Sequence, residues 1–180
     1  MKARDEKLEA IKAWITNNAD IRTALLTSSL VNPLAPIDDF SDLDIELVFN
    51  DPLPYLESKD WINLFGDPLN IYEEGIEAFE GKHAMKMVQY WDGVKIDFKI
   101  YSIDQFKSEV LASELPEDWD IGYKVLIDKD GTCKSLKAAS YQVSIIKKPT
   151  EEEFQKLVAD FFWDVTYLPK CLIREDLFYL

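Results

Sequence analysis

The chain has 180 residues, of which 47% are apolar and 13% aromatic, and its formal net charge is −14. This composition predicts one folded domain, or one domain and part of another, and argues against disorder. Because phosphate contacts need Lys and Arg, the negative charge disfavours nucleic acid and anionic membranes as partners. It would attract a cationic small molecule, although on composition alone the favoured interpretation is that the charge aids solubility.

The first predicted element is an amphipathic helix over residues 4–18, in which Leu8, Ile11 and Ile15 share one face. A strand from Ile21 to about Thr27 follows. A loop over residues 30–40 comes next, since its two prolines disfavour regular structure.

The stretch "FSDLDIELVF", residues 40–49, predicts a strand whose apolar residues alternate. Three carboxylates, those of Asp42, Asp44 and Glu46, share its other face. A solvated outer face is the ordinary interpretation of such a pattern. For Glu46, a site role and a structural role are equally open. The residues that follow, up to about 75, are interpreted as a short helix and a connection.

Residues 83–102 predict a β-hairpin around Asp92-Gly93, with a type I′ turn. In its second strand Lys95, Asp97 and Lys99 face one way, and a salt-bridged or solvated face is favoured over phosphate contact for the two lysines. His83, the only histidine, is interpreted as a strand-edge residue.

Two capping boxes predict helices, one over residues 103–112 and one over residues 150–168, with a strand near residues 123–131 between them. This order of elements predicts an α/β or α+β domain over residues 1–147, with a mixed sheet flanked by helices. Residues 148–180 are predicted to begin a helical C-terminal domain that appears cut short. Cys133 and Cys171 lack metal-ligand spacing, and the charged N-terminal segment does not fit a secretory signal, so a cytoplasmic location is expected.

Two carboxylates two residues apart on a strand, with Asp97 from a neighbouring strand, are suited to holding a pair of hard cations. The preceding "TSSLVNP" segment follows a strand and is rich in small hydroxyl residues, so it can approach phosphates closely.

Several stretches of the chain resemble the aminoglycoside 6-adenylyltransferases, or streptomycin adenylyltransferases, of the polymerase-beta-like nucleotidyltransferase superfamily. They are "LLTSSLVNPLAPIDDFSDLDIELVF", "WINLFGDPLNI", "MVQYWDGVKIDFKIY", "YKVLIDKDG" and "FFWDVTYLPKCLIREDLFY". The resemblance implies a nucleotidyltransferase fold and transfer of AMP from ATP to a hydroxyl of an aminoglycoside such as streptomycin. It also implies a role in antibiotic resistance.

By this resemblance Asp42 and Asp44 are metal ligands for two Mg²⁺ ions, and Asp97 is a third ligand or the general base. Ser28 and Ser29 match the family's Gly-Ser phosphate loop. Ser28 stands where the family has glycine, and Leu30 where it often has arginine.

Two alternatives remain open at this point. One is a non-catalytic or truncated module of the same fold that acts in binding, and the other is an adenylyltransferase with a different hydroxylated acceptor. A homodimer formed through the apolar C-terminal segment is a further expectation, because a helix that is apolar nearly all round is normally buried.

Overall fold

The computed structural model describes residues 2–143, 145 and 147–176. Its strands are β1 (Ile21–Thr27), β2 (Leu43–Phe49), β3 (Pro68–Glu74), β4 (Ala84–Tyr90), β5 (Lys95–Ser102) and β6 (Tyr123–Asp128). Its α-helices are α1 (Lys2–Asn17), α2 (Leu53–Glu57), α3 (Ile103–Leu111), α4 (Glu117–Ile121), α5 (Glu151–Val165) and α6 (Tyr167–Arg174). The predicted fold class is confirmed, since the strands form one mixed sheet flanked by helices.

The sheet has the strand order β3-β4-β5-β2-β1-β6. Strands β2 and β5 pair in parallel, whereas the other neighbours are antiparallel. The hairpin between β4 and β5 is confirmed, but its turn is not the expected type I′. Gly93 has a φ of 84°, and the backbone N–H of Tyr90 donates to the carbonyl of Val94 at 2.9 Å, which closes a three-residue loop with a single left-handed position.

Apolar residues pack on both faces of the sheet. On one face, Ile11 and Ile15 of α1 are almost fully buried, as the helical spacing predicts, in an apolar cluster that includes residues of β1 and β2. On the other face, Val48 and Tyr101 pack with Phe106 of α3, and Trp119 of α4 belongs to the same cluster. Strand β2 is therefore covered on both sides toward its C-terminal end.

Two predicted elements differ from the structure, and one helix was not predicted. The connection expected up to residue 75 contains the strand β3, whose residues are mostly exposed and so show no alternation of apolar residues. Helix α4 was not predicted. The helix expected over residues 150–168 ends at Val165, and α6 starts afresh at Tyr167.

The chain divides into two compact units, residues 1–144 and 145–180. In the second unit, the predicted capping box of α5 is present. The hydroxyl of Thr150 accepts from the backbone N–H of Glu153, and the carboxylate of Glu153 accepts from the backbone N–H of Thr150. Phe161, Phe162 and Trp163 on this helix are each more than 60% exposed. The domain boundary at residue 147 stays a prediction, and residues 177–180 of the predicted C-terminal segment lie outside the described part.

No helix among the described residues is both long enough and apolar enough to cross a lipid bilayer.

Candidate active site

Three strands bring the candidate site residues into one row across the sheet. Asp44 of β2 lies opposite Asp97 of β5 in the parallel pair, and opposite Thr27 of β1 in the antiparallel pair. Directly paired strands lie about 4.8 Å apart, so the side chains of such a row are neighbours. Ser28 follows Thr27 directly, so the hydroxyl-rich turn lies at the same end of these strands as Asp44.

The carboxylates of Asp42 and Asp97 converge on one ammonium group. The Nζ atom of Lys95 donates to Oδ2 of Asp42 and to Oδ2 of Asp97, at 2.9 Å in both cases. The two oxygens are therefore no more than twice that distance apart. We call Asp42, Asp44, Asp97 and Lys95 the outer charge group.

Asp44 is close enough to the other two carboxylates of the outer charge group for their charges to act on it. Burial, and then the charges of Asp97 and Asp42, raise the pKa of Asp44 from 3.8 to about 7, while Lys95 and Lys99 act in the opposite direction. Oδ1 of Asp97 is buried without a hydrogen-bond partner. A buried carboxylate oxygen normally has a hydrogen-bond partner. The lone pairs of this atom are therefore available to a cation or to a hydrogen-bond donor.

Among residues 2–143, 145 and 147–176, no group of three or more His, Cys, Asp or Glu side chains is arranged to hold a metal ion. The donor chemistry nevertheless fits Mg²⁺, which takes carboxylate oxygens. Two of the three carboxylates already converge on a single cation, and that cation is the ammonium of Lys95.

The turn after β1 adopts a conformation that favours glycine. Ser28 has a φ of 67°, in the left-handed region, at the position where the resemblance places glycine. Its N–H donates to the carbonyl of Gly122 at 2.9 Å. A Cβ on Gly122 would lie 3.1 Å from the carbonyl oxygen of Val31, so a side chain at this position would press on the same turn.

Ser29 lies inside the 3₁₀ turn Ser28–Val31, and its carbonyl accepts from the N–H of Asn32 at 3.2 Å. Leu30 is half-buried and packs against the apolar cluster that contains Ile11 and Ile15. It is therefore a packing residue, at the position where the resemblance expects a phosphate-facing cation.

A second set of charges lies one pleat further along the same face of β2 and β5. The Nζ atom of Lys99 forms an ion pair with Asp118, and it lies 3.6 Å from Oε1 of Glu46. The hydroxyl of Thr27 also donates to Oε1 of Glu46, at 3.3 Å. We call Glu46, Lys99 and Asp118 the inner charge group.

The inner charge group is closed to solvent around its glutamate. Glu46 is 1% exposed, and this burial raises the pKa of its carboxyl group. Burial alone would lower the pKa of Lys99, but the charges of Glu46 and Asp118 outweigh it and raise the pKa. The acidic face of β2 is therefore not the solvated outer face that its sequence pattern suggests.

The row of carboxylates beside a hydroxyl-rich turn agrees with the comparison of the whole chain with protein families. The family model described as streptomycin adenylyltransferase matches residues 1–180. The chain belongs to the streptomycin adenylyltransferase family.

The chain is also similar to proteins from several bacteria. The chain is 26% identical over 183 residues to an aminoglycoside 6-adenylyltransferase of Bacillus subtilis (strain 168), with 99% of this chain and 62% of that protein covered. It is 25% identical to an aminoglycoside 6-adenylyltransferase of Campylobacter jejuni and 24% identical to one of Staphylococcus aureus, each over 99% of this chain. The chain covers 61% and 63% of those two proteins, so it spans less than two thirds of the length of all three.

A solved structure supports the fold. The crystal structure of an aminoglycoside 6-adenyltransferase from Bacillus subtilis matches 98% of this chain and 59% of its own chain, with a TM-score of 0.52 and 22% identity. At 22% identity, this match shows a similar fold and nothing further.

Proposed function

We propose that the protein transfers AMP from ATP to a hydroxyl group of an aminoglycoside. The observation that carries this proposal is the row of Thr27, Asp44 and Asp97 across three paired strands, with the Ser28–Ser29 turn at its end. Family membership supports the same reaction, because the relatives named above are aminoglycoside 6-adenylyltransferases.

In this proposal the carboxylates and the serine turn have separate tasks. Asp42 and Asp44, with Asp97 as a third ligand, hold Mg²⁺ through carboxylate oxygens. Two Mg²⁺ ions bound there would activate the attacking hydroxyl and stabilise the leaving pyrophosphate. The backbone and hydroxyls of Ser28 and Ser29 bind phosphate oxygens of ATP.

The alternative role proposed for Asp97 is that of the general base. Its Oδ1 atom is buried and has no hydrogen-bond partner, so it is able to accept the proton of the acceptor hydroxyl. The acceptor oxygen then attacks the α-phosphate of ATP, and the bond to pyrophosphate breaks.

The charge of the chain suits a cationic acceptor such as streptomycin. With a net charge of −14, the protein attracts ammonium and guanidinium groups, and hydrogen bonds between charged partners are strong. Raising the salt concentration from 0.01 M to 0.1 M shortens the Debye length from about 30 Å to about 10 Å, so we expect weaker capture of the acceptor.

The test is transfer of label from α-labelled ATP to a panel of acceptors with Mg²⁺ and, in parallel, with EDTA. The panel contains streptomycin, other aminoglycosides and neutral polyols of similar size. We expect labelled streptomycin only when Mg²⁺ is present. Equal labelling of neutral polyols would instead point to a different hydroxylated acceptor.

A non-catalytic binding module is the second candidate. The observation that favours it is the turn, where Ser28 carries a side chain in a left-handed conformation and Leu30 packs into the core. Binding of ATP without transfer to any acceptor of the panel would support this candidate.

Two further expectations concern the whole protein in its cell. The exposed Phe161, Phe162 and Trp163 suit a homodimer formed through the C-terminal segment, because large exposed apolar patches drive association. Light scattering at increasing protein concentration tests this dimer, and a constant monomer mass excludes it. The proposed location is the cytoplasm, where ATP and reduced thiols are available.

A further inference from the structure

Lys95 is the cation around which two of the proposed metal ligands are arranged. It precedes Asp97 by two residues on β5, so both side chains leave the same face of the strand. Its ammonium is hydrogen-bonded to Asp42 and to Asp97, and its side chain is one-third exposed. It offsets repulsion that the clustered carboxylates would otherwise exert on one another.

The next lysine on this face shows what is particular to Lys95. Lys99 is paired with Asp118 and lies beside Glu46, and its side chain is 13% exposed. It therefore belongs to a closed group with its own anions. Lys95, in contrast, is paired only with carboxylates that the proposed reaction needs for Mg²⁺, among the ion pairs of the described residues.

We propose that Lys95 is a tethered counter-ion that occupies the divalent-cation position in the nucleotide-free protein and leaves it when metal and nucleotide bind together. This inference rests on the function proposed above. The four-carbon stem of lysine lets the ammonium swing by several ångströms, and the side chain already has access to solvent. A triphosphate gives the displaced ammonium new anionic partners, so Lys95 couples metal binding to nucleotide binding.

This coupling has a direct thermodynamic consequence. A divalent ion that binds alone must break both hydrogen bonds of Lys95 and leave the ammonium beside a dication, which weakens the affinity. With nucleotide present the ammonium is accommodated, and the affinity rises. Because coupling between two ligands is reciprocal, the metal also strengthens nucleotide binding.

The experiment uses calorimetry with Mn²⁺ as the probe, in the absence and presence of a non-hydrolysable ATP analogue. Lys95→Met should bind Mn²⁺ alone about tenfold more tightly than the native protein, and the analogue should strengthen its Mn²⁺ binding far less. Lys95→Arg keeps the charge and should behave like the native protein. Lys124→Met, an exposed lysine on β6, is the matched control and should change nothing.

Thermal unfolding provides a second measurement that does not depend on activity. Lys95→Met in EDTA should unfold at a lower temperature than the native protein, because the carboxylates lose their counter-ion. Added Mn²⁺ should remove this difference in unfolding temperature. One outcome would contradict the role of Lys95 alone. If the native protein and Lys95→Met both bind Mn²⁺ only in the presence of the analogue, and with the same affinity as each other, the role of Lys95 is wrong while the proposed function stands. If native protein binds no Mn²⁺ under either condition, both are wrong.

Discussion

The outer and inner charge groups lie on the same face of the same two strands, yet they differ in burial and in the balance of charge. In the outer group two of the three carboxylates, those of Asp42 and Asp97, pair with the ammonium of Lys95, and the side chains of Asp42 and Lys95 are each at least one-third exposed. In the inner group Glu46 is buried and shares Lys99 with Asp118. The difference teaches that strand alternation brings charges to one face, while the helices packed on that face decide which of them remain reachable by a ligand.

The largest effect is expected from a change within the outer group. Asp44→Asn should reduce transfer of AMP by about 10²–10³-fold, because a charged ligand in the centre of the row becomes neutral. The folded state should be retained, since the change relieves repulsion from Asp97 and Asp42. Transfer from α-labelled ATP measures the loss, and Asp104→Asn on the exposed surface of α3 is the matched control. Full activity of Asp44→Asn would remove Asp44 from the proposed site.

A change in the inner group should affect stability rather than binding. Glu46→Ala should lower the free energy of unfolding by about 2–3 kcal/mol, because Lys99 and the hydroxyl of Thr27 lose a buried partner. Asp42→Ala in the outer group should cost less than about 1 kcal/mol, as for other partly exposed ion pairs. Urea denaturation measures both values. Equal losses for the two variants would mean that the two groups do not differ as described.

The free energy of unfolding should depend on pH through His83, a residue close to the inner group. Burial, and then the charge of Lys99, lower the pKa of His83 from 6.5 to about 4. Between these two pH values, His83 binds a proton in the unfolded chain but not in the folded protein. The contribution of His83 to the free energy of unfolding is therefore lost as the pH falls from about 6.5 to 4.

The expected loss from His83 is about 1–2 kcal/mol, reduced from the full shift because the ring is only partly buried. His83→Phe keeps an aromatic ring, which in the native protein stacks on Phe79 and makes a tilted contact with Tyr101, but cannot titrate. Urea denaturation at pH 7 and pH 5 should show a smaller drop for this variant than for the native protein. The same drop in both proteins would assign the pH dependence to other groups.

The smallest effect is expected in the turn that borders the outer group. Ser28→Gly should raise the free energy of unfolding by about 0.5–1 kcal/mol, because glycine adopts a φ of 67° without strain. Ser29→Gly is the control, and it should not stabilise the protein. If the serine side chain also crowds the phosphates, Ser28→Gly should bind ATP more tightly, which calorimetry measures. A less stable Ser28→Gly would show that the turn does not need glycine.

Most of the sheet could be predicted from local patterns. Alternation of apolar residues identified β1, β2 and the β4–β5 hairpin, and the two capping boxes marked the starts of α3 and α5. Strand β3 was missed because an edge strand with mostly exposed residues has no alternation to detect. The end of α5 at Val165 was missed because its apolar pattern continues into α6.

The candidate site was predictable only in part. The period of two along a strand placed Asp42 and Asp44 on one face, and the resemblance added Asp97. The convergence of Asp42 and Asp97 on Lys95 depends on the register of a parallel pair, which no local pattern fixes. The burial of Glu46 also had no local signal, because the cover on that face of the sheet comes from α3 and α4, later in the chain.

The parallel pairing of β2 and β5 has a consequence for how the protein folds. Asp44 and Asp97 meet only when two strands separated by β3 and β4 in the chain come into register. Contacts between residues far apart in sequence must first offset the entropy of closing a long loop, so they form slowly compared with a local hairpin. The β4–β5 hairpin is therefore able to form early, while the row of carboxylates is assembled late. In a refolding protein, recovery of the proposed cation binding would report the completion of the central sheet rather than the formation of its parts.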